Sequence, residues 1–249
     1  MLPAVAIFGP TASGKSAVAL ELAGRLDGEI VSCDAMQAYR GLPILTNQPS
    51  SHELAAIPHH LVATWPLEHA GSVAEFGRLA HGAVDDVIAR GRRPVMAGGS
   101  GLYLRAAVAE LQPRPQPAEG QRDRLAAFYD ADPQVAYRRL CEVDPAAARA
   151  IHPNDRRRVV RGLELHAAGT SLAPESDSLW DAHTRVPTVI VGLDLPPSLG
   201  DRRIAVRTEG MFRRGVEEEV RTARADHVFS HTAARIHGLQ DVTALLQPE

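Results

Sequence analysis

The eight residues Gly-Pro-Thr-Ala-Ser-Gly-Lys-Ser, Gly9 to Ser16, have the composition and spacing of a loop that holds phosphate. Gly9 and Gly14 free the backbone, so that the N–H groups of Gly9, Pro10, Thr11, Ala12, Ser13 and Gly14, proline excepted, can turn inward on an anion. The helix that follows adds positive partial charge. Lys15 reaches the terminal phosphate oxygens, and Ser16 offers its hydroxyl to a magnesium ion, Mg2+. The 27 basic residues are 26 arginines and one lysine, and that lysine is Lys15. This position therefore calls for a compact ammonium rather than a planar guanidinium. The bland alternative, a glycine-bounded turn that binds nothing, leaves the agreement of strand, spacing and Lys-Ser pair unaccounted for. Kinases, ATPases and several transferases share such a loop, so its neighbours must say whether the phosphate is fuel or part of the substrate.

Asp34 ends the stretch Glu-Ile-Val-Ser-Cys-Asp. A carboxylate there holds magnesium through water, takes a proton from a nucleophile, or only caps the segment after it. Gln37 and Tyr39 follow, and either read a base edge or cap and pack. Ser100 lies in Ala-Gly-Gly-Ser-Gly-Leu-Tyr, directly after the apolar run Pro94 to Ala97. In a P-loop ATPase the corresponding strand ends in an aspartate that organises magnesium. Gly-Gly-Ser in its place weakens the hydrolysis reading and sets a hydroxyl beside backbone N–H groups, unless this is a plain turn into a helix. Arg203 and Arg207 share a helical face, and one of them can close over a pyrophosphate from the side opposite Lys15. Arg157 and Arg161 also share a face, with Arg158 nearby; such a stripe is either solvated or meets a phosphate backbone.

These residues need elements to position them. Ala4 to Phe8 reads as a buried strand, Lys15 to Leu26 as a helix and Glu29 to Cys33 as a second strand. Phe76 to Ala89 puts Phe76, Leu79, Ala80, Ala83, Val84, Val87 and Ile88 on one stripe, and Arg-Arg-Pro-Val-Met-Ala-Gly-Gly follows as strand and turn. Alternation of this kind predicts an α/β, P-loop NTPase-like parallel sheet flanked by helices. Ligands of such sheets sit beyond the carboxyl ends of the strands, where Gly9 to Ser16, Asp34 and Gly98 to Gly101 should converge. Residues 111–121, with three prolines, read as a semi-rigid connection, and 174–184 as a polar loop. Between them Gln121 to Ala168 is arginine-rich and helical. Thr188 to Leu193 returns as a strand, followed by an amphipathic helix from about Gly200 to Arg224. The expected division is a core of 1–112 and 186–249 with a small helical lobe, 113–185, inserted.

A 249-residue chain, 45% hydrophobic and 23% charged, can bury a full core. Two cysteines, Cys33 and Cys141, make no disulfide framework and lack zinc-ligand spacing, which points to a cytoplasmic setting. No apolar run approaches the roughly 18 residues of a membrane span. A net charge of −3 excludes a uniformly basic surface, but arginines cluster at 156–161 and 202–214. Aromatic residues are 4%, enough to stack one or two bases and too few for a stacking platform. No hydrophobic stripe demands a partner, so a monomer is expected.

Taken in order, "GPTASGKS", "SCDAMQAYRGLPI", "IPHHLV", "SVAEFGRLA", "RPVMAGGSGLYLRA", "DPAAARAIHPNDRRRVVRGLEL" and "GLDLPPSLGDRRIAVRTEGMF" resemble the tRNA dimethylallyltransferases over nearly the whole chain. Members of that family move a dimethylallyl group from dimethylallyl diphosphate to N6 of adenosine 37, beside the tRNA anticodon. The resemblance implies that Gly9 to Ser16 cradle the donor's diphosphate, that Asp34 is the base for the adenine amine, and that Ala35, Met36 and Gln37 neighbour the target base. It implies further that Ser100, where the family writes threonine, keeps the hydroxyl, that Arg203 grips the diphosphate, and that Arg122, Arg157, Arg158 and Arg161 meet tRNA. Gln48 stands where a lysine is expected, with the loss of one positive contact. Asp201 takes a tyrosine position, Ile-Gly-Tyr-Lys-Glu is loosely kept as Ile236 to Val242, and the family's basic C-terminal segment is not seen before Glu249. Two other functions compete: a small-molecule or nucleoside kinase, opposed by the missing acidic end of Pro94 to Gly98, and a tRNA-binding remnant, opposed by Lys15, Asp34 and Arg203.

Overall fold

Apolar runs of five or six residues, each bounded by a polar or glycine turn, make the sheet, and helices close both of its faces. The computed structural model describes residues 3–110, 115, 117–118, 120–173 and 183–246. Strand β1 (Ala4–Phe8) feeds the phosphate loop and helix α1 (Lys15–Arg25); β2 (Gly28–Ser32) leads through a turn-rich stretch to α2 (Ser51–Ala56) and the short β3 (His59–His60). Helix α3 (Val73–Ala89) crosses to β4 (Arg93–Gly98), and α4 (Gly101–Val108) follows. After the lobe, β5 (Thr188–Gly192) rejoins the sheet, whose parallel order is β3-β2-β4-β1-β5. The loops leaving β2, β4 and β1 are thus neighbours at one edge, as a parallel sheet requires.

A parallel sheet must be covered on both faces. Val5, Ile7, Ile30 and Val95 pack against Ala19 and Ala23 of α1. On the other face Ala4, Ala6, Val31 and Met96 meet Phe76, Ala80 and Val84 of α3 and Leu104 and Ala107 of α4. The expected α3 stripe is rotated: Leu79 is 37% exposed, while Gly77 is buried. The helix also begins three residues early, because the Ser72 side chain accepts from the Glu75 N–H and caps it at Val73.

The chain divides into two units, Met1–Leu111 with His183–Glu249, and Gln112–Ala182. The second has its own core, in which Tyr129, Ala136, Leu140, Ile151, Val159, Val160 and Leu163 cluster. It consists of α5 (Gln121–Ala131), α6 (Pro133–Val143), α7 (Pro145–Arg149) and α8 (Arg156–Ala167). Asp132-Pro133 and Asp144-Pro145 each start a helix, with the carboxylate accepting the orphan N–H groups and proline at the first position. The expected connection 111–121 and loop 174–184 lie largely outside the described residues. The chain leaves the first unit after α4 and returns beside it: the Arg185 N–H donates to the Val108 carbonyl at 2.8 Å.

The long helix expected from Gly200 to Arg224 is two. Helix α9 (Pro197–Arg213) ends before Gly215, whose φ of 88° no helix tolerates, and α10 (Val216–Asp226) starts afresh. Helix α11 (Leu239–Leu245) packs on α10.

Candidate active site

The phosphate loop runs through two left-handed residues, Ala12 at φ 64° and Gly14 at 92°, which turn successive N–H groups to one side. Gly9 owes its place to space rather than to backbone angle. A β-carbon there would stand 2.8 Å from the Leu193 carbonyl oxygen and 3.0 Å from Ser13 Oγ. Ser13 Oγ is buried and has no hydrogen-bond partner among the described residues. Lys15 Nζ donates to the Pro10 carbonyl at 2.6 Å. Burial lowers the Lys15 pKa; the negative charge of Asp34 opposes this and the positive charge of Arg207 adds to it. Three groups from α1, the end of β2 and α9 therefore share one field.

Asp34 follows β2 directly, where the Cys33 N–H still donates to the Ala97 carbonyl at 2.7 Å. Asp34 Oδ1 accepts from the Met36 N–H at 2.9 Å, and Ala35 to Ala38 form a turn, so the carboxylate braces a turn rather than capping a helix. The neighbouring Cys33 thiol is buried, and burial drives its pKa far up, which leaves it inert. At the end of β4, a β-carbon on Gly98 would overlap the Cys33 carbonyl group; the same position on Gly99 lies 3.6 Å from Lys15 Nζ. Ser100 occupies the N-cap of α4, yet its hydroxyl makes no cap bond. Arg203 Nη1 donates to the Ala12 carbonyl at 3.2 Å, which places α9 on the phosphate loop. Arg207, one turn on, has a buried Nε with no partner among the described residues.

Gln37 does not offer its amide outward. Ser32 Oγ donates to its Oε1 at 2.9 Å, and its Nε2 donates to the Asn47 carbonyl at 2.8 Å. Gln48 also serves the protein: its Nε2 donates to the carbonyls of Gln37, at 3.2 Å, and Tyr39, at 2.6 Å. What glutamine drops relative to lysine is a charge, while the donors are kept.

In the helical unit the arginines divide. Arg122 and Arg161 both pair with Glu164, which is 1% exposed, at 2.8 Å each, and Arg161 also donates to the Pro115 carbonyl. Burial alone would raise the Glu164 pKa, but the two guanidiniums overrule it and pull it down. Arg158 pairs with the helix-capping Asp155 at 3.5 Å, and Arg156 with Asp130 at 2.6 Å. Arg157 is exposed and has no ion pair among the described residues. The exposed stripe read from the sequence is thus largely engaged within the unit.

A phosphate cradle beside a carboxylate, a hydroxyl and two arginines, with glycines where an ATPase carries its acidic strand end, defines a P-loop group-transfer scaffold. The model of the IPP transferase family matches residues 37–249, and the chain belongs to this family, the tRNA dimethylallyltransferases, which are prenyltransferases. It is 44% identical over 248 residues to the tRNA dimethylallyltransferase of Salinispora tropica, an alignment covering 98% of this chain and 76% of that protein. The enzyme of Streptomyces coelicolor is 41% identical over 251 residues, covering 98% and 78%. Among solved structures, the full-length tRNA isopentenylpyrophosphate transferase of Bacillus halodurans gives a TM-score of 0.67 at 32% identity, over 98% of this chain and 77% of that one. A eukaryotic dimethylallyltransferase acting on tRNA gives 0.75 at 25% identity, over 96% and 61%. The phosphate loop precedes the span of the family model but falls within the alignments to the Salinispora tropica and Bacillus halodurans proteins, which cover 98% of this chain.

Proposed function

We infer that this chain transfers the dimethylallyl group of dimethylallyl diphosphate to N6 of adenosine 37 in tRNA and releases diphosphate. One observation carries the site reading: Arg203 Nη1 reaches the Ala12 carbonyl of the loop that carries Lys15, at the end of a sheet whose β4 finishes in glycine, beside Lys15 Nζ, rather than in a carboxylate. An exocyclic adenine amine is a weak nucleophile, whereas an allylic diphosphate ionises readily once its leaving charge is stabilised. The N6 lone pair attacks the allylic carbon, the carbon–oxygen bond breaks with its electrons passing to diphosphate, and the N6 proton goes to Asp34. Lys15, the loop N–H groups and Arg203 stabilise the departing anion, and the Ser100 hydroxyl hydrogen-bonds at the reacting end. Ala35 and Met36 lie on the turn that Asp34 braces and would flank the base, which leaves the anticodon loop more easily than a duplex.

The donor set fits magnesium carried by the substrate. Ser16 offers an exposed hydroxyl, a hard oxygen donor, and no cluster of three His, Cys, Asp or Glu exists among the described residues to cage an ion. Bound there, it would neutralise charge on the diphosphate. In this reading the inserted lobe meets tRNA, chiefly through Arg157, and the enzyme works as a cytoplasmic monomer; no described helix is long and apolar enough to cross a membrane.

The test is to incubate the protein with labelled dimethylallyl diphosphate, ATP and unmodified tRNA. Alkylated adenosine is the expected product. A phosphorylated acceptor would replace the reading with a kinase, and bound but unchanged tRNA would replace it with a binding protein.

A further inference from the structure

The turn that carries Asp34 sits in a long segment, 33–50, with no helix or strand apart from the single bridge Tyr39–Trp65. Backbone groups in such a segment still need partners; many find them in local turns or in the backbone of 63–65, and four more are met by the side chains of Glu219 and Gln48. Residues 42–48 form a compact helical turn: the Thr46 N–H donates to the Leu42 carbonyl and the Gln48 N–H to the Pro43 carbonyl, at 3.0 and 2.9 Å. At one end of it the Glu219 carboxylate, from α10, accepts the Ile44 N–H on Oε1 at 2.7 Å and the Leu45 N–H on Oε2 at 2.8 Å. At the other end Gln48 Nε2 reaches back to the Gln37 and Tyr39 carbonyls. The Gln37 side chain closes the arrangement between Ser32 of β2 and Asn47.

Ala38, Tyr39, Leu42 and Leu45 anchor this segment in the core, and a relay of hydrogen bonds runs along its polar side. Glu219 holds the turn 42–48, the turn presents Gln48, and Gln48 holds the Gln37 carbonyl, inside the Asp34 turn and shared with the Ala63 N–H, and the Tyr39 carbonyl just beyond it. Glu219 lies in the first turn of α10, directly beyond the corner that ends α9. The helix that brings Arg203 to the phosphate loop and the grip on the Asp34 turn therefore spring from the same corner.

We propose that Gln48 and Glu219 are positioning residues that set the pose of the Asp34–Gln37 turn, and with it the alignment of the base, without touching substrate. The proposal rests on the function inferred above. It attributes to these residues an effect on turnover with tRNA, with none on the grip on the diphosphate. Lysine at 48 should largely replace glutamine, because an ammonium also offers donors enough for both carbonyls.

The experiment compares wild type with Gln48→Ala, Gln48→Lys and Glu219→Gln in the full chain. It measures kcat and KM for each substrate, affinity for inorganic diphosphate, and amide hydrogen exchange across 34–48. Gln48→Ala should lower kcat about tenfold, of the order expected when a pair of hydrogen bonds is lost, with diphosphate affinity within about twofold of wild type. Gln48→Lys should recover to within about threefold. Glu219→Gln leaves one amide without its acceptor, so exchange at Ile44 or Leu45 should quicken and kcat should fall with it. Wild-type turnover in Gln48→Ala, diphosphate affinity falling in step with kcat, or a lysine variant no better than alanine would each overturn the proposal. If Glu219→Gln fails to fold, the Gln48 pair decides. A wild-type protein that makes no prenylated adenosine would overturn the functional reading instead, and the exchange signature, read without substrate, would still judge the clamp.

Discussion

Lys15 offers the sharpest test of the anion site. Its Nζ lies 2.6 Å from the Pro10 carbonyl oxygen, and a β-carbon on Gly99 would be 3.6 Å from Nζ and 3.7 Å from Cε. The ammonium thus occupies a slot with ordinary van der Waals clearance on the Gly99 side. Lys15→Ala removes a preorganised donor aimed at developing charge, a loss of about 2.7–4 kcal/mol, or about 10²–10³ in kcat. Lys15→Arg keeps the charge but replaces a compact ammonium on the Pro10 carbonyl with a planar fork of different reach. It also brings a second guanidinium toward Arg207, so it too should lose at least about tenfold. Ser100→Ala removes one neutral hydroxyl, about 0.5–1.5 kcal/mol, or roughly twofold to tenfold. Steady-state rates at saturating tRNA, with diphosphate affinity measured alongside, give the ranking. Equal losses for Lys15→Ala and Ser100→Ala, or full activity in Lys15→Arg, would refute the reasoning.

Further outcomes are expected. Asp34→Asn should cut kcat by about 10²–10⁴ with diphosphate binding retained, since an amide oxygen can still accept from the Met36 N–H; single-turnover kinetics separate the two. Gly98→Ala should lower the thermal midpoint and abolish turnover together, because its β-carbon overlaps the Cys33 carbonyl group beside Asp34. Burial alone would raise the Glu29 pKa, but hydrogen bonds and charge from Arg90 and His60 outweigh it and hold it at about 2, against an ordinary 4.5. The folded value is the lower one, so the stability, on the order of 3 kcal/mol, is present above the ordinary carboxylate range and lost as pH falls toward 2; urea midpoints of wild type and Glu29→Gln should converge in acid. Arg157→Ala should weaken tRNA binding and flatten its salt dependence by about one unit of slope with no change in stability.

Four strands were legible because parallel sheets write themselves as short apolar runs: β1 matches its expected bounds, β2 is shifted by one residue at both ends and β5 is shorter by one, whereas β3, two histidines, gave no such run. The break at Gly215 was also available, as a glycine after two arginines, but the apolar period of the flanking helices masked it. Local chemistry singled out Gly9 to Ser16, Asp34 and Ser100 because each follows a strand, and it paired Arg203 with Arg207 on one face of a helix, between which only the resemblance chose. It could not expose Arg207's orphaned nitrogen or the grip of Glu219 on Ile44 and Leu45, which joins residues some 175 positions apart. Nor could it separate a solvated arginine from one drawn onto a buried carboxylate: Glu164 sits within an apolar run and gives no sign of pairing with Arg122, 42 positions away.

The hydrogen bond between Arg185 and Val108 ties together the two points where the chain exits and re-enters the catalytic unit. The first unit thus has its exit and re-entry points joined within itself, and the helical module is a cassette whose two ends are held side by side. Its length, charge and composition can change without a break in the unit that carries Lys15 and Asp34.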